Sequence, residues 1–186
     1  VEDVTDPTVS CPPNDTLSAD TSFCGAIMPG YSPLVFSDNC AVDSIWQSGG
    51  PLPGDTLDLS GSPYFAQWSV VDLAGRTSSC TQQIQVIDDQ APAVFCPLFD
   101  FMEFHLDASG QIAFPDLRDS VTVTDCSAWT NTMWPPAGML FTKDTVVQMT
   151  MDIDDVHGNH SDNDHVILIR DTIAPVFNCN LSFSYS

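Results

Sequence analysis

Positive charge is nearly missing from this chain: of 186 residues only 4 are Lys or Arg, against 25 acidic ones, for a formal net charge of −21. Nucleic-acid affinity comes from Lys and Arg neutralising phosphates, so a phosphate-backbone binder is excluded. An anionic membrane surface would repel the chain for the same reason. Glutamate is scarce too. Only Glu2 and Glu103 are present, so almost every acid is an Asp. Its short side chain favours turns and loops, where it bonds to nearby backbone or offers oxygens to a hard cation such as Ca²⁺. No apolar run approaches the ~20 residues a membrane helix requires. There is no initiator Met and no apolar leader, so the chain reads as a soluble mature segment. The absence of any CxxC pair argues against a zinc ribbon or a thioredoxin-like centre. No Ser-His-Asp constellation, phosphate loop or HExxH is present, and the carboxylates are too numerous and repetitive to single out an acid and a base; the chain reads as non-enzymatic.

What is present is ample for a packed core, with 43% hydrophobic and 10% aromatic residues. Seven cysteines fit structural disulfides in an oxidising compartment, and the odd number leaves at least one without a partner here.

The main signal is internal repetition. Asp3, Pro7 and Cys11 are spaced four and four, as are Asp88, Pro92, Cys96 and Asp171, Pro175, Cys179, and the prolines lie 85 and 83 residues apart. Asp72-Leu73-Ala74-Gly75-Arg76 precedes Asp88 by sixteen residues, and Asp155-Val156-His157-Gly158-Asn159 precedes Asp171 by sixteen. Phe36-Ser37-Asp38-Asn39-Cys40 is matched by Val123-Thr124-Asp125-Cys126, which lacks the Asn. The expected organisation is a first unit over 1–88, a second over 89–171, and the opening strand of a third over 172–186, within a longer tandem array. Each unit is strand-like: Tyr64–Val71, Gln82–Ile87, Val146–Met151 and His165–Ile169 are β-branched, aromatic or alternating, and bounded by Gly, Pro, Asn and Asp. No window has helical periodicity. Turns about every ten residues over ~85 residues point to an all-β fold of tandem immunoglobulin-like Greek-key sandwiches, each of about seven strands.

The combination of Asp-x3-Pro-x3-Cys-Pro, Ser37-Asp38-Asn39-Cys40, a strand ending in Asp-x-Ala-Gly, and Cys80-x3-Ile84-x-Val86-x-Asp88 resembles the hyalin repeat (HYR) family of extracellular immunoglobulin-like domains. The second unit is a degraded copy, with Gln111 and Asn163 where the first has Cys24 and Cys80. The resemblance implies a non-catalytic adhesion or stalk module used in arrays at the cell surface. Its topology implies pairing of Cys11 with Cys80 and Cys24 with Cys40, and in the second unit of Cys96 with Cys126, the alternative there being buried thiols. Cys179 would await a partner in the third unit.

The leading end of each sandwich should gather three loops. In the first unit these bring Asp3, Asp6, Asp38, Asp43 and Asp72 together; in the second, Asp88, Asp89, Asp125, Asp152, Asp154 and Asp155. Such like charges repel unless a cation sits among them, and Ca²⁺ takes six to eight oxygens in irregular loops. The expectation is Ca²⁺ at the repeat junctions, stiffening the array. The same Asp residues also suit solvent-facing turn caps. His157, His160 and His165 lie among carboxylates, but without a zinc-site spacing.

Six Asp-Ser/Thr-aliphatic triplets carry Thr16, Ser44, Thr56, Ser120, Thr145 and Thr172. They resemble the O-glycosylation signal of Bacteroidota, whose long gliding and adhesion proteins carry related repeats; an acidic turn residue leading into a strand gives the same triplet. Asn14, Asn159 and Asn180 open N-glycosylation triplets, relevant in a eukaryotic host. Trp46, Trp68, Trp129 and Trp134 offer a sugar-stacking surface, although sandwich tryptophans are commonly core, Trp68 foremost. Two functions follow: a structural and adhesive repeat segment of a surface filament, whose partners are neighbouring repeats and surface glycans or other cells, or a carbohydrate-binding accessory module of a secreted glycan-degrading enzyme.

Overall fold

A computed structural model describes residues 3–31, 35–97 and 101–176, with Phe101 in backbone only. Cys179 and most of the expected third-unit strand lie outside the described residues. Residues 172–176 carry no regular secondary structure. The chain divides into two compact units, Val1–Ala91 with Asp125–Ala128, and Pro92–Thr124 with Trp129–Ser186.

In the first unit the strands are β1 (Thr8–Ser10), β2 (Asp15–Ser18), β3 (Gly25–Ile27), β4 (Val35–Ser37), β5 (Val42–Gly49), β6 (Thr56–Asp58), β7 (Tyr64–Asp72) and β8 (Thr77–Ile87). They build a four-stranded sheet in the order β2-β8-β7-β5, with β2 parallel to β8, plus the ribbons β1-β4 and β3-β6. The second unit repeats this plan. Its strands are β9 (Ala93–Phe95), β10 (Phe101–His105), β11 (Ile112–Ala113), β12 (Thr122–Thr124), β13 (Trp129–Trp134), β14 (Leu140–Phe141), β15 (Thr145–Asp155) and β16 (His160–Arg170). The sheet runs β10-β16-β15-β13 with β10 parallel to β16, and the ribbons are β9-β12 and β11-β14. Both units are immunoglobulin-like β-sandwiches, and among the described residues each has eight strands rather than seven, because a short strand precedes the parallel edge strand.

Strict alternation makes these strands. In β15 Val147, Met149, Met151 and Ile153 point inward and are buried, while Gln148, Thr150 and Asp152 between them are exposed or half-buried. The two cores differ in size. The second packs Phe114, Met149, Met151, Ile153, Ile167 and Ile169, with Phe104 and Phe141 edge-on to Phe114 at 6.1 and 5.9 Å. The first is thinner, built on Ala19, Ala26, Met28, Leu57, Ala66, Ile84 and Val86. A disulfide between Cys11 and Cys80 closes a separation of 69 residues in this unit, and Trp68 lies directly opposite Cys80 in the β7-β8 register.

The other cysteines depart from the expected pairing. Cys24 is joined to Cys126, not Cys40, and Cys40 and Cys96 remain thiols. The reason is where they sit along the strands. Cys24 follows β2, whose last residue Ser18 is level with Ile87 at the end of β8. Cys40 precedes β5, whose first residue Val42 is level with Asp72, beside the start of β8. An eleven-residue strand separates those ends by ~33 Å, far beyond the ~7 Å a disulfide allows between Cα atoms. Cys96 and Cys126 are likewise divided: they extend opposite ends of the β9-β12 ribbon, in which Phe95 is level with Thr122 and Ala93 with Thr124.

Candidate metal centre

Asp72 ends β7 and starts the hairpin to β8. Its Oδ1 accepts the amides of Ala74 and Arg76, both at 2.8 Å, and Gly75 takes φ +82°, a left-handed conformation that glycine adopts without steric cost. The other oxygen, Oδ2, is buried and has no hydrogen-bond partner; Asp72 as a whole is 2% exposed. Asp38, just after β4, follows the same division. Oδ2 accepts the amide of Cys40 at 3.0 Å, while Oδ1 is buried and unpartnered. Asp3, in the segment leading to β1, accepts the Thr5 amide at 3.0 Å and the Asn39 side-chain amide at 3.3 Å on Oδ1.

One carboxylate oxygen from each of Asp3, Asp38 and Asp72 lies within 4.8 Å of the other two. Oxygens bound to one Ca²⁺ at about 2.4 Å can be no further apart than about 5 Å. A buried carboxylate oxygen without a donor is costly, and two of them beside a third acid make a strongly anionic spot. Neighbouring groups respond to it. The hydrogen bond to Asp3, burial, and the charges of Asp3, Asp38 and Asp72 push the Cys40 thiol up. The Thr5 amide in turn holds the Asp3 carboxyl below its ordinary range. The donor set is all hard oxygen on three separate segments, which suits Ca²⁺.

Asp6 and Asp43 do not join this group. Asp6 pairs with Arg76, Oδ1 to Nη1 at 2.8 Å, while Arg76 Nε donates to the Asp3 carbonyl at 3.3 Å. Asp43 is exposed in a β-bulge between Val42 and Ser44. Arg76 and Asn39 are the contributors that acid counting misses. The signal was there in Arg76, one of only four cations, placed directly on the Asp-Leu-Ala-Gly motif.

The same local device recurs in the repeat-related positions. Asp155 ends β15, and its Oδ1 accepts the amides of His157 and Asn159, both at 2.8 Å. Here Oδ2 is satisfied by the Asn159 side chain at 2.8 Å. Burial works against the ionised form of Asp155, but the bonds from Asn159 and His157 outweigh it and hold the carboxyl below its usual range. Asp125 copies Asp38: Oδ2 accepts the Ser127 amide at 3.0 Å and Oδ1 is buried without a partner. Asp88 is buried and accepts the Ser127 hydroxyl, and Asp89 accepts the Ser18 hydroxyl at 2.7 Å.

Asp152 and Asp154 point outward from β15. His160 bonds Asp154 at 2.8 Å, which raises its proton affinity. His165 is five residues further along β16, an odd step that turns it to the inner face. The three histidines are therefore not gathered around one point.

Of the glycosylation candidates, Thr16, Ser44, Thr56 and Thr172 are exposed, while Ser120 and Thr145 are half-buried. Several of their preceding acids organise turns: Asp15 accepts the Thr16 amide, Asp55 that of Leu52, and Asp171 that of Ile173. Trp68 is half-buried and faces inward, whereas Trp46, Trp129 and Trp134 are exposed.

No protein-family model matches the chain, so the hyalin-repeat resemblance rests on the motifs quoted above. No curated protein matches it either. Among solved structures it is similar to Drosophila N-cadherin EC1-4 at 10% identity and a TM-score of 0.45, over 91% of this chain and 50% of that one. Protocadherin gammaB7 EC3-6, solved as a cis-dimer, gives 12% identity and 0.42, over 90% and 48%. Mouse cadherin-23 EC22-24 gives 13% and 0.43, over 89% and 66%. The chain thus spans about half the length of the first two. The likeness lies in β-sandwich architecture, which the strand pairing above establishes independently.

Proposed function

We propose that this chain is a non-catalytic segment of an extracellular adhesive array, built from repeats of about 85 residues and braced by Ca²⁺. The observation that carries the reading is the group Asp3, Asp38 and Asp72, with its buried unpartnered oxygens. Asp3 belongs to the segment that runs into the first strand, Asp38 to the loop after β4, and Asp72 to the β7-β8 hairpin. A divalent cation held by all three would fix the incoming segment to the body of the sandwich. Arg76 assists by gripping Asp6 and the Asp3 carbonyl. The two disulfides fit an oxidising, extracellular location, and the proposed partners are neighbouring repeats and surface glycans or other cells.

Calorimetric titration of the full chain with Ca²⁺ tests the brace. The reading expects saturable binding that Asp72→Asn removes and Asp43→Asn leaves intact. Absence of saturable binding at millimolar Ca²⁺ rejects it.

A further inference from the structure

The two sheets share one plan, yet the outer face of the first is uncharged and that of the second acidic. On β8 the outward side chains are Thr77, Ser79, Thr81, Gln83 and Gln85. On β7 they are Phe65, Gln67 and Ser69, followed by Val71, and on β5 Trp46 and Ser48. Asp43, in the bulge, and Asp89, bonded to Ser18, stand only at the margins of this face. The outer face of the second sheet instead carries Asp152 directly opposite Asp162, with Asp154, Asp164 and His160 around them. In a chain of net charge −21, a whole sheet face of hydroxyls, amides and two aromatic rings is the feature that stands out.

We propose that the outer face of the β2-β8-β7-β5 sheet is a binding platform for a neutral polysaccharide. Trp46 and Phe65 keep 45% and 54% of their surface exposed. Trp46 is level with Ser69, and Phe65 lies four residues earlier on the adjacent strand β7, which sets their Cα atoms ~14 Å apart, a span of a few sugar units. Aromatic rings stack on the apolar faces of pyranose rings while keeping their own edges wet. Ser48, Gln67 and Ser69 between them, and the outward Ser, Thr and Gln row of β8 alongside, supply donors and acceptors for sugar hydroxyls. No ionised group has to be stripped of water in the middle of the face, so covering it costs little. The chain's negative field repels uronate or sulfated polymers, and a basic partner would be drawn to the acidic face of the second sheet. The match is therefore to an uncharged glycan. This inference rests on the adhesive half of the reading above and not on the cation, since none of Asp3, Asp38 or Asp72 faces this surface.

The test is affinity electrophoresis of the full chain in native gels containing hydroxyethylcellulose, laminarin or galactomannan, with alginate as the anionic comparison, each run in Ca²⁺ and in chelator. Retardation by at least one neutral polymer and not by alginate is expected. It should weaken about tenfold in Trp46→Ala and in Phe65→Ala and be unchanged in Trp134→Ala, whose side chain belongs to the other unit. Both substitutions are at exposed positions, and an unchanged melting curve confirms that the fold is kept. No retardation in any neutral gel, or equal retardation of both variants, overturns the proposal. Concentration-dependent self-association abolished by Trp46→Ala also overturns it, assigning the face to a second copy. Loss of retardation in chelator would contradict the independence from the cation, whereas failure in both conditions leaves the cation site untouched.

Discussion

Asp38 and Asp72 bring carboxylate oxygens within 4.8 Å of one another, and each keeps one oxygen buried without a hydrogen-bond partner. Without a cation this closeness is repulsive; with one it is the binding site. Asp38→Asn therefore has opposite effects in the two conditions. In chelator it should raise the melting point of the first unit by ~4–8 °C, for a relief of roughly 1 kcal/mol. In millimolar Ca²⁺ it should lower it. A loss of stability of equal size in both conditions would show that Asp38 acts only as the turn cap for Cys40.

The two units divide their stability differently. The first has a thin, alanine-rich core and the Cys11–Cys80 and Cys24–Cys126 disulfides. The second has a larger core and, among the described residues, the thiol Cys96 where its repeat partner has a disulfide. Reduction should destabilise the first unit by about 2–5 kcal/mol for each disulfide lost and leave the melting transition of the second nearly in place. Peptide mapping of a non-reduced digest should recover Cys24 linked to Cys126, with Cys40 open to alkylation. A Cys24–Cys40 peptide would contradict the structure directly.

The hairpin turns require glycine. Gly75 and Gly158 sit at φ +82° and +89°, each three residues after the aspartate that organises its turn. Alanine at either position should destabilise its own unit by about 1–2 kcal/mol, and Gly75→Ala should also weaken Ca²⁺ binding by disturbing Asp72. Thermal melts and calorimetry of the two variants check this; an effect of Gly158→Ala on the first-unit site would contradict it.

Asp116 is gripped by Arg118, at 2.6 Å to Oδ2 and 2.9 Å to Oδ1. The side-chain hydrogen bond, then the Arg118 amide, hold its carboxyl down to about 2. A depressed folded-state value means that the contribution is present above the ordinary 3.8 and is lost as pH falls through about 2. Carbon-13 NMR titration should place the Asp116 midpoint near 2, and Arg118→Ala should move it up towards the ordinary value. An unmoved midpoint would mean that the pairing is not made in solution.

Much of this architecture is legible in the residues. The Asp-Pro-Cys spacing marks the units, and alternation in Val147–Ile153 marks an inward face. The Asp-x-x-Gly pattern marks hairpin turns, because Asp can cap its own following amides and Gly can turn left-handed. Cysteine pairing was harder to read. It depends on which end of an eleven-residue strand each loop reaches, and local sequence does not state that for Cys24 or Cys40. The exclusion of Asp6 from the acidic group is equally non-local, since it follows from Arg76 reaching across about seventy residues. Outward-facing Trp46 and inward-facing Trp68 differ only in strand parity, which the β-bulges of β5 obscure.

Thermal unfolding of the full chain in millimolar Ca²⁺ and in excess chelator, for the wild type and Asp72→Asn, tests the central claim most directly. At about a hundred times the dissociation constant, a cation bound only to the folded state contributes about 2.7 kcal/mol. The first-unit midpoint of the wild type should then rise by ~10 °C or more, and that of Asp72→Asn should not move. An equal midpoint for the wild type in Ca²⁺ and in chelator would contradict the cation brace and leave Asp3, Asp38 and Asp72 as a turn-capping cluster.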